Sequence, residues 1–353
     1  MSQAPLLIDP AVLVRVAAGY PELGTFVGIV RNGLSVNSAA CLFETTHGVY
    51  FTKCYDPRER SAEAILAEHA LIMRLVAKGF PTPRLLETAR STTLAWDEGL
   101  PFALFERARG EDRYAQAPVF TPCASPVETH AMGAALAAFH LALSDSPLLE
   151  SKPFRGITAR YRLMAAPSVR HGLAALYEEA PVLAPFLAAQ PEWEACLSWL
   201  EEWHRRLKPH LARLPRGIIH GDFIKRNLFW QDRAVSDVID FDLWNVEAWV
   251  YDLALSLIPA GFAWPEILAG RALPDAHHLR AFLEGYQSVR PLEAFERATL
   301  SWVVSTARVE FYLSLVARGL DRRDRAEAER FFRLLVDTLG WFAANPRWHD
   351  VLA

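Results

Sequence analysis

Positions 220–242 read HGDFIKRNLFWQDRAVSDVIDFD, and the oxygen-bearing side chains in this stretch are spaced for phosphoryl transfer. That chemistry needs a carboxylate to orient or deprotonate an attacking hydroxyl, and oxygen ligands to hold Mg²⁺ against nucleotide phosphates. His220, Asp222 and Asn227 form the pattern HxDxxxxN. In it Asp222 is the candidate base and Asn227 a candidate metal ligand. Asp240, thirteen residues past Asn227, ends the apolar run VSDVID as the second candidate ligand. An Asp and an Asn in a turn often do no more than cap local backbone. The apolar GII before the pattern, NLFW after it and a strand ending in a carboxylate together favour phosphotransfer over capping. His220 reads as a packing residue behind the loop. Away from this segment, Lys53 sits mid-strand in VYFTKCY, where a buried ammonium requires an anionic partner.

The elements that must position these groups change character along the chain. GTFVGIV, SAACLFETT and GVYFTKCY read as a three-stranded antiparallel meander, with turn chemistry at Asn32-Gly33 and His47-Gly48. A helix is expected over about 61–78, where Ile65, Leu66, His69, Ile72, Met73 and Val76 recur at helical steps and Gly79 ends the run. Further strands follow Pro81 and Pro83, the last being PFALFERARG. Residues 108–126 are polar and proline-punctuated and read as a hinge, which divides the chain into a β-rich lobe 1–107 and a helical lobe 127–353. The fold class expected is α+β: a small antiparallel sheet followed by a larger, mainly helical part.

Composition narrows the function classes. The 353 residues are 52% hydrophobic and 22% charged, enough for full cores and unlike a disordered chain. A net charge of −4 removes the basic footprint of backbone-dominated nucleic-acid binding. Cys41, Cys54, Cys123 and Cys196 lack zinc-site spacing and read as reduced thiols. The start, MSQAPLLIDPAVLV, is a poor signal peptide because Asp9 and Pro10 break its apolar run, and Ala248–Trp264 is too interrupted for a membrane span. A cytoplasmic protein with neither nucleic acid nor membrane as partner is expected.

HGDFIKRNLFW followed by VIDFD and YDLALSL resembles the aminoglycoside phosphotransferase family, which includes type II homoserine kinases and choline-kinase-like enzymes. GLSVNSAACLFETTHGVYFTKCY and FLEGYQSVRPL are similar to that family's nucleotide loop with third strand and to its C-terminal helical region. The resemblance implies a bilobal protein-kinase-like fold and ATP and Mg²⁺ as cofactors. It makes Asp222 the base, Asn227 and Asp240 the Mg²⁺ ligands, and Lys53 the lysine on the nucleotide phosphates. Asp252 would brace the catalytic loop, and a glutamate of the following helix, Glu68 in preference to Glu63, would pair with Lys53. The loop RNGLSVNSA has one glycine in place of GxGxxG, and no Walker A pattern occurs anywhere. Ser35, Asn37 and Ser38 would present N–H and hydroxyl groups to phosphate there, although the loop alone reads as an ordinary hairpin turn.

Only the eight residues LWNVEAWV separate Asp242 from the helix expected to begin at Tyr251 with YDLALSL, and Asp242 replaces the glycine of the DFG pattern. With no room for a peptide platform, the acceptor expected is a small hydroxyl compound. Trp244 and Trp249 flank the metal loop as possible stacking faces, with core packing as the equal alternative. Arg308 and Glu310 lie where family members place acceptor contacts: an arginine suits a carboxylated acceptor and a glutamate an aminated one. Arg226, with Lys225, would shield transferred phosphate or be a solvated loop charge. The competing readings are a bacterial stress-type Ser/Thr protein kinase and a nucleotide-binding pseudokinase.

Overall fold

The computed structural model describes residues 7–33, 38–146 and 159–352. The chain divides into two compact units, one of Met1–Glu111, Phe229–Gln231 and Ser236–Ile239, the other of Asp112–Leu228, Asp232–Val235 and Asp240–Ala353.

The first unit opens with helix α1 (Pro10–Ala17), whose N-cap Asp9 accepts from Ala11 N–H at 2.7 Å with proline in the first turn. The two residues that interrupt the apolar run at the start of the sequence are therefore a helix-start signal, and the strand-centred reading misses this helix. Strands β1 (Phe26–Asn32), β2 (Ala39–Thr45) and β3 (Gly48–Cys54) form the expected meander. Helix α2 (Ala62–Ala77) follows, capped by Ser61, and β4 (Ala95–Asp97) and β5 (Leu100–Glu106) complete a sheet of order β1-β2-β3-β5-β4.

Alternation along the strands gives the sheet two different faces. Cys41, Phe43, Cys54, Phe102 and Leu104 form one core with Leu13 and Val16 of α1. On the other face Lys53 lies opposite Ala103 and Phe51 opposite Phe105, and the ring of His69 on α2 meets Phe105 edge-on at 6.3 Å. Lys53 thus points to the side of the sheet that α2 covers.

The second unit is built from helices α3 (Pro126–Ala142), α4 (Arg162–Ala165), α5 (Val169–Glu179), α6 (Leu183–Ala188) and α7 (Trp193–Leu211). After residues 212–248 come α8 (Trp249–Gly261), α9 (Trp264–Leu268), α10 (Ala276–Val289), α11 (Ala294–Thr306), α12 (Val309–Asp321) and α13 (Arg325–Ala344). Helices α3 and α10 approach through facing glycines: a Cβ on Gly133 would collide with Phe282 O, and one on Gly285 with His130 O. No helix among the described residues is long and apolar enough to cross a membrane.

Strand β6 (Arg216–Ile219) leads into the HxDxxxxN segment, and β7 (Leu228–Gln231) and β8 (Ala234–Val238) form a hairpin after it. Strand β9 (Asn245–Ala248) pairs antiparallel with β6, Ile219 opposite Asn245. The sequence reading takes this stretch as a plain connection before a helix at Tyr251. It is a strand, and α8 begins at Trp249. Its pattern is obscured because two of its buried residues, Asn245 and Glu247, are polar.

Candidate active site

The segment 220–227 that carries the HxDxxxxN pattern is a loop held from behind by a buried carboxylate. Asp252 on α8, 0% exposed, accepts from the backbone N–H of His220 at 2.8 Å and of Gly221 at 2.9 Å. His140 of α3 donates from Nε2 to the same carboxylate at 3.0 Å, while its Nδ1 accepts from the hydroxyl of Tyr286 at 2.8 Å. Burial pushes the Asp252 carboxyl up, but the hydrogen bonds from His140 and from the backbone donors outweigh it, and its pKa ends below the ordinary value. Burial pushes His140 down, which keeps it a neutral Nε2–H donor. Gly221 has φ +81°, and a Cβ there would meet Ala159 Cβ at 2.6 Å and collide with Leu243 O, so the turn into Asp222 requires glycine.

His220 is fully buried, with its ring against Phe223 and Phe241 at 5.3 and 4.9 Å. Asp222 follows, half-buried, and its backbone N–H donates to His220 Nδ1 at 3.3 Å. Asn227 closes a 3₁₀ turn over Lys225–Asn227 and donates from Nδ2 to Asp222 O at 2.9 Å and Oδ2 at 3.1 Å. Burial raises the Asp222 carboxyl to about 6, against the opposing charge of Arg308 and with a further push from Asp240. Asp240 is exposed and takes the left-handed conformation, φ 65°, two residues past β8. That backbone turn sends the buried Phe241 inward, stacked on Phe139 at 5.9 Å, and leaves the aspartate outside. Asp222, Asn227 and Asp240 therefore belong to one neighbourhood of the second unit.

Arg308, just ahead of α12, carries the first opposing charge felt by Asp222. Its guanidinium lies 5.8 Å from the Phe120 ring centre and 5.2 Å from that of Phe311, and Nη2 donates to Leu255 O at 2.9 Å. Its buried Nε has no hydrogen-bond partner among the described residues. Glu310 accepts from the backbone N–H of Leu163 instead, where burial first and Glu247 after it raise its carboxyl to about 8. The two side chains that the sequence leaves as alternatives thus occupy different surroundings, and it is the charge of Arg308 that Asp222 feels.

Trp244 is 3% exposed, and Trp249 lies parallel to His140 at 5.4 Å with the Arg290 guanidinium 4.7 Å from its ring centre. Both rings face protein. Asp242 is half-buried and Arg226 exposed. Lys225, grouped with Arg226 in the sequence reading as a phosphate shield, is buried and bonded to oxygens of Thr121 and Pro122.

In the first unit Lys53 is 9% exposed, its Nζ 5.5 Å from the centre of the Tyr55 ring. Glu68 is buried and Glu63 exposed, and Glu68 forms an ion pair with Arg60 at 2.5 Å. Arg60, which the sequence reading passes over, also stands over Tyr55 at 5.2 Å. Burial first, then the charges of Arg60 and Lys53, depress His69 to about 3, so Lys53, Arg60, Glu68 and His69 share one setting. Ser38 is buried, while Ser35 and Asn37 lie outside the described residues.

Residues 30–292 match the phosphotransferase enzyme family. The chain belongs to that family. A homoserine kinase of Hyphomonas neptunium is 29% identical over 314 residues, covering 87% of this chain and 86% of the relative. One of Xanthobacter autotrophicus is 27% identical over 319 residues, covering 89% and 87%. Among solved structures, a microcompartment-associated aminopropanol kinase superposes with a TM-score of 0.61 at 17% identity, covering 98% of this chain and 99% of that one. Amicoumacin kinase hAmiN, in complex with AMP-PNP, Ca²⁺ and Ami, superposes with a TM-score of 0.58 at 18% identity over 94% of each chain. The fold is kinase-like, and the chain is a small-molecule phosphotransferase acting on a hydroxyl group.

Proposed function

We propose that this protein transfers the γ-phosphate of ATP to the hydroxyl of a small, carboxylate-bearing amino alcohol of the homoserine kind. Asp222 accepts the proton of that hydroxyl as its oxygen attacks the γ-phosphorus. The bond to the β-phosphate oxygen breaks and ADP leaves. A carboxyl poised near 6 is ionised at neutral pH and still basic enough to take the proton.

The observation that carries the acceptor class is Arg308. The Arg308 guanidinium, whose charge Asp222 feels and whose buried Nε has no partner among the described residues, is a cation suited to a carboxylate, whereas Glu310 is occupied by Leu163 N–H. The homoserine kinases among the relatives point to the same acceptor.

For the cation, the Asp240 carboxylate and the Asn227 amide oxygen are hard oxygen donors, and Asn227 has its nitrogen engaged by Asp222. Among the described residues no group of three or more metal-binding side chains surrounds such an ion. A cation taken up by only two protein oxygens, with waters and phosphate oxygens as its other ligands, is the manner of Mg²⁺. Bound there, it supplies charge neutralisation to the phosphates. Lys53 is assigned to the nucleotide phosphates, with Glu68 and Arg60 fixing the charge around it, and Asp252 to bracing the catalytic loop.

The test is phosphate transfer from γ-labelled ATP, with Mg²⁺, to L-homoserine, 3-amino-1-propanol and an aminoglycoside in parallel. Labelled phosphohomoserine as the dominant product supports the reading. Efficient labelling of the amino alcohol or aminoglycoside with none of homoserine overturns it.

A further inference from the structure

Lys225 stands in the catalytic loop between Asp222 and Asn227, yet it is only 5% exposed. A buried ammonium must have its three N–H donors engaged. Here they are: Nζ donates to Thr121 O at 2.7 Å, to Thr121 Oγ1 at 2.5 Å and to Pro122 O at 2.9 Å. Nζ also lies 5.1 Å from the centre of the Tyr114 ring, and the Tyr114 hydroxyl accepts from Ala124 N–H at 2.7 Å and donates to Glu128 at 2.8 Å. The segment 114–124 is thus secured to the catalytic loop by one side chain. Its residue Phe120, immediately before the anchored Thr121, offers its ring to the Arg308 guanidinium at 5.8 Å. Arg226 next door is exposed.

We propose that Lys225 is a positioning residue for acceptor recognition: by holding Thr121 and Pro122 it seats Phe120 against Arg308, which keeps the acceptor's carboxylate clamp in register with the loop that carries Asp222. The inference rests on the reading that Arg308 recognises that carboxylate. A merely structural lysine would lower thermal stability and leave the balance between KM and kcat alone.

The experiment is steady-state kinetics of full-length Lys225→Met, Lys225→Arg, Phe120→Leu, Thr121→Val, Arg308→Lys and the Lys225→Met/Phe120→Leu double variant, with ATP and L-homoserine. Lys225→Met is expected to raise the homoserine KM about tenfold while the ATP KM moves less than about twofold. Phe120→Leu should act in the same direction, and the double variant should be no worse than the poorer single one, because both break the same link. Lys225→Arg, able to donate to both carbonyls, should recover most of the loss. Additive effects, or a fall in kcat with homoserine KM unchanged, overturn the proposal. Should Lys225→Met not fold, Thr121→Val decides: it removes one of the three acceptors, and an unchanged homoserine KM overturns the proposal. Arg308→Lys separates the two levels. If it leaves homoserine KM unchanged, the acceptor reading itself fails; if it raises KM while the Lys225 and Phe120 variants do not, only the positioning role fails.

Discussion

The two charged sites of this protein are mounted in different ways. In the first unit Lys53 stands one residue before the end of β3 and Glu68 on α2, so backbone ladders fix both positions whatever the side chains do. In the second unit Asp222 stands on a loop with one glycine at positive φ, and the ladder of β6 ends three residues before it. Its position is fixed by side-chain chemistry: Asp252 receiving two backbone N–H groups and His140, and Asn227 donating back to Asp222. A site on regular elements is expected to lose local function when a polar residue is replaced. A site on a loop is expected to lose geometry and stability together, because its buried polar groups are left unpaired.

The largest effect expected is on chemistry. Asp222→Asn should lower kcat by about 10²–10⁴-fold, read from initial phosphotransfer rates. The same change should stabilise the unliganded protein. A carboxyl raised by folding from 3.8 to about 6 favours the folded state at low pH and loses that contribution as pH rises through 6. At pH 8 the asparagine variant should therefore be more stable by about 1–2 kcal/mol in urea unfolding. A destabilised, inactive variant would contradict the origin given for the shift.

Next comes the brace. Asp252→Ala leaves the His220 and Gly221 N–H groups and His140 without their acceptor, and should cost about 3–5 kcal/mol of unfolding free energy as well as most activity. Glu68→Gln in the first unit should cost less, about 1–3 kcal/mol, and act mainly on the ATP KM. Equal losses of kcat in these two variants would erase the contrast between the mounts. The smallest effect concerns Glu310, which faces Glu247, Arg160, Arg162 and the Leu163 N–H. Folding raises its carboxyl from 4.5 to about 8, so its contribution is present at low pH and disappears as pH climbs through 8. Glu310→Gln should flatten the decline in melting temperature between about pH 5 and pH 8.

How much of this can be read in the sequence depends on the distance over which each feature is encoded. The meander and α2 are visible because their apolar periods are local, and HxDxxxxN is visible because its members lie within eight residues. Strand β9 is hidden because Asn245 and Glu247 are inward-facing polar residues whose partners, Ala159 and Tyr161, lie 86 residues away. The partnership of Asp252 with His140 spans 112 residues, and that of Lys225 with Thr121 spans 104. Nothing near Lys225 distinguishes a buried anchor from the exposed arginine beside it. Arg308 and Glu310 are two residues apart, which on a helix points side chains to nearly opposite sides. The sequence therefore presents both, and the docking of α12 decides whose charge Asp222 feels.

The most direct measurement is the ratio of kcat/KM for a carboxylated amino alcohol to that for its decarboxylated counterpart, in the wild type and in Arg308→Met. The account predicts a wild-type ratio on the order of 10²–10³, as for a bidentate charged contact at a site of chemistry, collapsing toward one in the variant. A wild-type ratio near one, or a ratio that survives the loss of the guanidinium, would contradict it.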